Sequence, residues 1–203
     1  GQLRQADRTI VNTDQGKELA AALTGVDFIV QSVESKQYRR RPAAPFMTST
    51  LQQEASGRLG FSASRTMGAA QKLYEEGHIT YMRTDSTTLS ADALSAARTL
   101  IRERFGQDHL PADARVYNKK VKNAQEAHEA IRPAGDVWRD PVDLGFKGDK
   151  ADSDQARLYQ LIWSRTIASQ MNDAEGQTVG VRAAASPLGS ETYELGTSGT
   201  CLL

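Results

Sequence analysis

The sequence predicts an α+β fold, mostly helical, with a helical middle set between strand-rich ends. Three observations carry this. Stretches rich in β-branched or alternating residues sit near both ends, at Val26–Val33 and at Thr178–Ala184 with Thr192–Leu195. Capped amphipathic repeats fill residues 42–171. Pro42 and Pro45, straight after a basic run, break the chain where the first pattern gives way to the second. We therefore expect β-rich segments at 1–41 and 172–203, able to pair with each other, and a helical domain at 42–171 inserted between them.

In chain order, Thr13 or Asp14 can cap a short helix carrying Leu19, Ala20 and Leu23 and closed by Gly25. The strand at Val26–Val33 is followed by the basic stretch Lys36–Arg41, after which Pro42 and Pro45 break regular structure. Thr50 with Gln53 forms a capping box for a helix in which Leu51, Ala55 and Leu59 recur, and Gly60 ends it. Ser64 can cap a second helix with Met67, Ala70, Leu73 and Tyr74 on one face and Gly77 at its end. A short strand with Ile79 and Tyr81 on one face follows. Helix, turn, helix, strand is the order of a winged helix, with the Tyr81 stretch as the wing, and also of a plain αα-hairpin; the pattern leaves both open. Ser90 caps a further helix with Leu94, Ala97, Ile101 and Phe105 in its stripe. Residues Gln125–Arg132 read as a short helix stopped by Pro133, and residues 134–150 as irregular. A last helix over about 154–171 buries Leu158, Tyr159, Ile162, Trp163 and Ile167, and a hairpin turning at Ser186–Gly189 closes the chain.

Composition narrows the class. A chain of 203 residues can bury a good core. One cysteine, Cys201, excludes a disulfide framework and a cysteine zinc site, and points to a reducing cytoplasm. No apolar run approaches the roughly 20 residues of a membrane span, and no signal-peptide pattern opens the chain. The chain begins Gly-Gln-Leu and stops in what reads as the middle of an apolar strand, so we expect a piece of a longer polypeptide. Net charge is zero, yet Lys36–Gln53 holds four cations and no acid, and Arg115, Lys119, Lys120 and Lys122 form a second basic cluster. Local basic patches on a neutral chain suit a grip on a phosphate backbone at one place, or simply solvated loops.

Two constellations carry chemistry. Thr80–Ser86 sets a phenol, a guanidinium, a carboxylate and three hydroxyls within seven residues. A tyrosine that attacks phosphorus needs a proton acceptor and a fixed cation for the charge growing on the phosphate oxygens. The same residues also fit a strand running into a polar turn. The second constellation is His128 with Arg132, one turn apart on the expected helix and able to clamp a phosphate, or to serve structurally. A zinc-protease reading fails because Arg132 stands where the second histidine of H-E-x-x-H belongs. We read His78 and His109 as incidental.

Three blocks, Pro45–Ala55, Gly77–Ser86 and Glu126–Pro133, taken in this order and spacing, resemble the type IA DNA topoisomerases, and within them the bacterial topoisomerase I branch, with actinobacterial wording that includes Arg39-Arg40-Arg41-Pro42. The resemblance implies a winged-helix-like domain, carrying the tyrosine, set on the β-rich arch that serves as gate hinge of the family's toroid. It implies that Tyr81 attacks a single-strand phosphodiester to give a 5′-phosphotyrosyl link and a free 3′-hydroxyl, without ATP. Arg83 and His128 would assist catalysis. Asp85 would orient Arg83, Thr84 would support the site, and Arg132, Arg39, Arg40, Arg41, Lys119, Lys120 and Lys122 would contact DNA. The family's Mg²⁺ is held by a Toprim domain with no match here, so we expect no metal site in this chain and no cleavage by it alone. The implied partners are single-stranded segments of negatively supercoiled DNA and the rest of its own polypeptide, in the cytoplasm at the nucleoid. Three other readings stay open: a topoisomerase III or reverse gyrase relative, a single-strand-binding module without chemistry, and a helical interaction domain with no nucleic-acid role.

Overall fold

The computed structural model describes residues 12–117, 128–144, 153–186 and 192–202. The chain divides into two compact units, one of the residues up to Arg40 together with those from Ala174 onward, the other Arg41–Asp173.

The first unit is a three-stranded antiparallel sheet in the order β1-β2-β3. β1 (Ile29–Arg40) pairs with β2 (Ala174–Ala185) from Ile29↔Ala184 to Arg40↔Ala174, with a register shift between Val30 and Ser32. β2 pairs in turn with β3 (Tyr193–Leu202). The strands at the two ends of the chain thus pair, and the hairpin strands are longer than their alternation predicts. β1 is also longer than the strand read at Val26–Val33: it runs through the basic stretch to Arg40, because the ladder to β2 sets the backbone and Glu175, opposite Arg39, pairs with it at 2.7 Å. Gly176 is required by close approach, since a Cβ there would lie 2.5 Å from the carbonyl oxygen of Cys201 on the neighbouring strand and 2.6 Å from Cζ of Tyr38. Before the sheet comes α1 (Thr13–Leu23), capped by Asn12 rather than Thr13 or Asp14. The Asn12 side chain accepts from the Asp14 and Gln15 amides, and Gln15 reaches back to the Asn12 amide.

The second unit packs α2 (Thr48–Leu59), α3 (Ala63–Glu75), α4 (Ala91–Phe105) and α5 (Asp154–Ser169). Its core takes Leu51 and Ala55 from α2, Ala70 and Leu73 from α3, Ala97 and Ile101 from α4, and Leu158 and Ile162 from α5, all fully buried. Ser62, Ser90 and Ser153 cap α3, α4 and α5, each hydroxyl accepting from the amide three residues on. The cap of α3 is therefore Ser62, not Ser64. Thr50 lies inside the first turn of α2, its hydroxyl accepting from the Met47 amide at 3.1 Å, so that helix begins earlier than the Thr50 capping box predicts. Burial pushes the hydroxyl of Tyr159 up to about 12, and that hydroxyl donates to the carbonyl of Arg139. The hydroxyl of Tyr117 lies 3.0 Å from the carbonyl oxygen of Pro42 and 2.9 Å from that of Ser169, next to both chain ends of this unit.

Two local expectations are corrected. The first three residues of the helix read over 125–132 lie outside the described residues. His128–Arg132 is not helical, and Ile131 bridges Phe46 while Pro133 bridges Ile79. Pro133 disfavours helical backbone at Arg132, and two neighbouring segments offer hydrogen bonds that an isolated turn lacks. The strand read at Ile79–Tyr81 reduces to the single bridge at Ile79, which is buried, whereas Tyr81 is 47% exposed.

Candidate active site

Three segments far apart in sequence meet through their backbones. The Ile131 amide donates to the Phe46 carbonyl at 2.8 Å, and the Ala134 amide to that of His78 at 2.9 Å. The Thr80 amide donates to the Arg132 carbonyl at 2.9 Å, while the Thr80 hydroxyl donates to the Ala130 carbonyl at 2.8 Å and accepts from the Arg132 amide at 3.0 Å. On the other side, the Thr48 amide donates to the Thr84 carbonyl at 2.9 Å, and the Thr84 amide returns to the Thr48 hydroxyl at 2.9 Å. The result is a hydrogen-bonded frame in which residues 46–48, 78–84 and 130–134 hold one another.

Arg132 braces this frame from within. It is 9% exposed; its Nε and Nη2 donate to Glu129, each at 2.8 Å, and its Nη1 to the carbonyls of Pro133 and Gly135. Glu129 also accepts from the amide of Ser90 at 2.9 Å, which ties the start of α4 to the frame. Burial pushes the Glu129 carboxyl up, but the hydrogen bonds from Arg132 and Ser90 outweigh it and hold the group below its ordinary value.

On this frame opens a cleft of about 390 Å³, lined among others by Thr48, Ser49, Arg83, Thr84, Asp85 and His128. Met82 and Thr84 point inward and are buried, and Arg83 between them is exposed, so the alternation along 82–84 sends the guanidinium outward. Thr48 and Ser49 belong to the first turn of α2, whose dipole favours an anion there. A cation, an imidazole and a helix N-terminus around one opening suit a phosphate. Tyr81 lies outside that lining, two residues before Arg83, and its exposed ring packs edge-on against Tyr74 with centroids 5.3 Å apart.

The cleft gathers Arg83, Thr84, Asp85 and His128; Arg132 is in the frame, not the cleft, so the shared helical face expected for His128 and Arg132 does not exist. Arg39 and Arg40 stand at the end of β1, and the guanidinium of Arg41 lies 5.3 Å from the centre of the Tyr117 ring. Lys119, Lys120 and Lys122 lie outside the described residues. Asp85 is the one carboxylate lining the cleft, and among the described residues no three carboxylate, imidazole or thiol groups gather as metal ligands, so the groups present do not fit a Mg²⁺ site.

The profile of the DNA topoisomerase family matches residues 2–200. The chain belongs to that family. Its relatives include DNA topoisomerase 1 of Streptomyces coelicolor, 54% identical over 199 residues that make up 98% of this chain and 20% of that protein. DNA topoisomerase 1 of Mycobacterium tuberculosis H37Rv is 56% identical over 184 residues, 90% of this chain and 20% of that protein. Full-length topoisomerase I from Thermotoga maritima is a structural neighbour with TM-score 0.64 and 32% identity, over 98% of this chain and 32% of that one. These matches place the chain with bacterial DNA topoisomerase I, of type IA, and it spans about a fifth of the length of these curated relatives. The sequence reading missed Thr48 and Ser49 as cleft residues. Their signal was present in the run Thr48-Ser49-Thr50, of which only Thr50 was given a local role, as part of a capping box.

Proposed function

We propose that this chain carries the nucleophile and the phosphate-binding residues of a topoisomerase that cuts and reseals one DNA strand. The Tyr81 oxygen attacks phosphorus, the bond from phosphorus to the 3′-oxygen breaks, and the strand is left with a 5′-phosphotyrosyl ester and a free 3′-hydroxyl. The phenolic proton passes to solvent or to a base, and the 3′-oxygen takes up a proton as it leaves. Attack by that hydroxyl on the ester runs the step backward once another strand has passed. The ester keeps the bond energy, so no nucleotide triphosphate is consumed, and relaxation of negative supercoils is the net result. Arg83 offsets charge on the phosphate oxygens, His128 contacts the same or a neighbouring phosphate, and Asp85 and Thr84 keep the Arg83 neighbourhood in place. Mg²⁺ belongs to a part of the longer polypeptide outside this chain. A winged-helix-like role for α2 and α3, and a gate-hinge role for the sheet, complete the reading.

One observation carries it: the hydrogen-bonded frame sets Arg83, Asp85 and His128 around one cleft of about 390 Å³, two residues from an exposed tyrosine. The test is a denaturing gel after incubation with Mg²⁺ and a single-stranded oligonucleotide labelled at its 3′ end. We expect no labelled adduct with this chain alone, an adduct with the full-length polypeptide, and none with full-length Tyr81→Phe although oligonucleotide binding survives. A full-length Tyr81→Phe protein that still forms the adduct would remove Tyr81 from the reaction. Binding without any adduct in the unaltered full-length protein would favour a binding module without chemistry.

A further inference from the structure

We propose that Thr48 is a positioning residue for cleavage, the pin that fixes the backbone on both sides of Arg83. The proposal rests on the reading of Tyr81 and Arg83 given above. The Thr48 hydroxyl accepts from the Thr84 amide at 2.9 Å and donates to the Met82 carbonyl at 2.8 Å, with the Thr84 carbonyl at 3.0 Å beside it. The Thr48 amide makes the fourth tie, to the Thr84 carbonyl at 2.9 Å. Three of these ties use one oxygen, and they grip the residues immediately before and after Arg83 while leaving its side chain untouched.

The chemistry explains why a hydroxyl is needed there. The Thr84 amide needs an acceptor and the Met82 carbonyl needs a donor, and among side chains this short only serine or threonine supplies both from one atom. Thr48 lines the cleft as well, so the pin and the guanidinium it aims share the same opening. The segment it holds begins one residue after Tyr81. A guanidinium that stabilises a transition state must be in place before the reaction, because an error near 1 Å is enough to cost much of the rate. Thr80 performs the matching task on the other side of Tyr81 by holding residues 130–132, so the tyrosine lies between two threonine-pinned strands of backbone.

Thr48→Val keeps the side-chain volume and the backbone tie but removes all hydroxyl bonds, whereas Thr48→Ser keeps the hydroxyl. In the full-length topoisomerase with Mg²⁺ and the 3′-labelled oligonucleotide, we expect Thr48→Val to slow adduct formation about ten- to a hundredfold while oligonucleotide affinity stays within about twofold, and Thr48→Ser to restore the rate. If Thr48 acts through Arg83, Thr48→Val added to Arg83→Ala costs little more than Arg83→Ala alone. Additive losses, a Thr48→Val rate equal to wild type, or a Thr48→Ser protein as slow as Thr48→Val would each overturn the pin. A silent Thr48→Val beside a crippled Arg83→Ala overturns the pin alone. A silent Arg83→Ala overturns the reading of the site, and the pin with it.

Discussion

The two units of this chain hold themselves together differently. The helical unit buries aliphatic and aromatic side chains from all four of its helices in one cluster. The sheet buries only Gly176 and Ala185 among its described residues, and leaves Ile29, Val30, Val33 and Leu202 more than half exposed. Its order comes from backbone ladders, which add little net stability without an apolar face to cover. The candidate site is mounted on the unit that has the core, where a frame of fixed backbone groups can be kept rigid.

That contrast can be broken or sharpened by substitution. The largest effect is expected from Ile162→Ala, a fully buried residue of α5, which should destabilise the helical unit by about 2–5 kcal/mol. Both tryptophans, Trp138 and Trp163, are buried in that unit, so urea unfolding followed by tryptophan fluorescence reads it selectively. In the sheet, Gly176→Ala should cost about 1–3 kcal/mol through the clash with the Cys201 carbonyl and the Tyr38 ring, seen as lost strand signal in circular dichroism without a shift of the tryptophan transition. Arg132→Met strands Glu129 without its main partner and should cost the helical unit about 1–3 kcal/mol.

Acid titrates the same brace. The Glu129 carboxyl sits below its ordinary value when folded, so below the unfolded value of about 4.3 the unfolded chain binds the extra proton first and stability rises with pH. The contribution is complete above that value and is lost as pH falls through the depressed folded one. Urea midpoints between pH 5 and pH 2 should therefore fall more steeply for wild type than for Glu129→Gln; equal slopes would show that Glu129 is not braced. The smallest effect belongs to Val33→Ala, at 63% exposure, with a change under about 0.5 kcal/mol.

How much of this was legible in the sequence depended on where the information lay. The stripe Leu158, Tyr159, Ile162, Trp163 and Ile167 was readable, and all five are buried, because an amphipathic helix writes its burial into its own period. The Ser90 cap was readable for a similar reason. The caps of α2 and α3 were not, since Thr48, Ser49 and Thr50, and likewise Ser62 and Ser64, are all chemically able to cap, and at α2 the Thr48 hydroxyl is drawn into long-range bonds with Met82 and Thr84 instead. The non-helical course of His128–Arg132 was hidden because its partners are distant in sequence: the Phe46 carbonyl, and the amide and hydroxyl of Thr80. The candidate site divides along this line. Arg83, Asp85 and His128 stood out by residue type, whereas the frame that gathers them is built largely on carbonyls and amides, which every residue has.

The hydroxyl of Tyr117 bears on the route by which the chain folds. Bringing Pro42 and Ser169 together through a flexible chain would cost on the order of 4 kcal/mol of closure entropy. Tyr117 lies against both carbonyls inside the helical unit, so that closure is achieved by helices packing over their own contacts. Once it is made, Arg40 and Ala174 no longer have to find each other by diffusion. The pairing of β1 with β2, distant along the sequence, then becomes a local zipper that runs outward from Arg40↔Ala174. In refolding, tryptophan burial should lead and strand signal should follow.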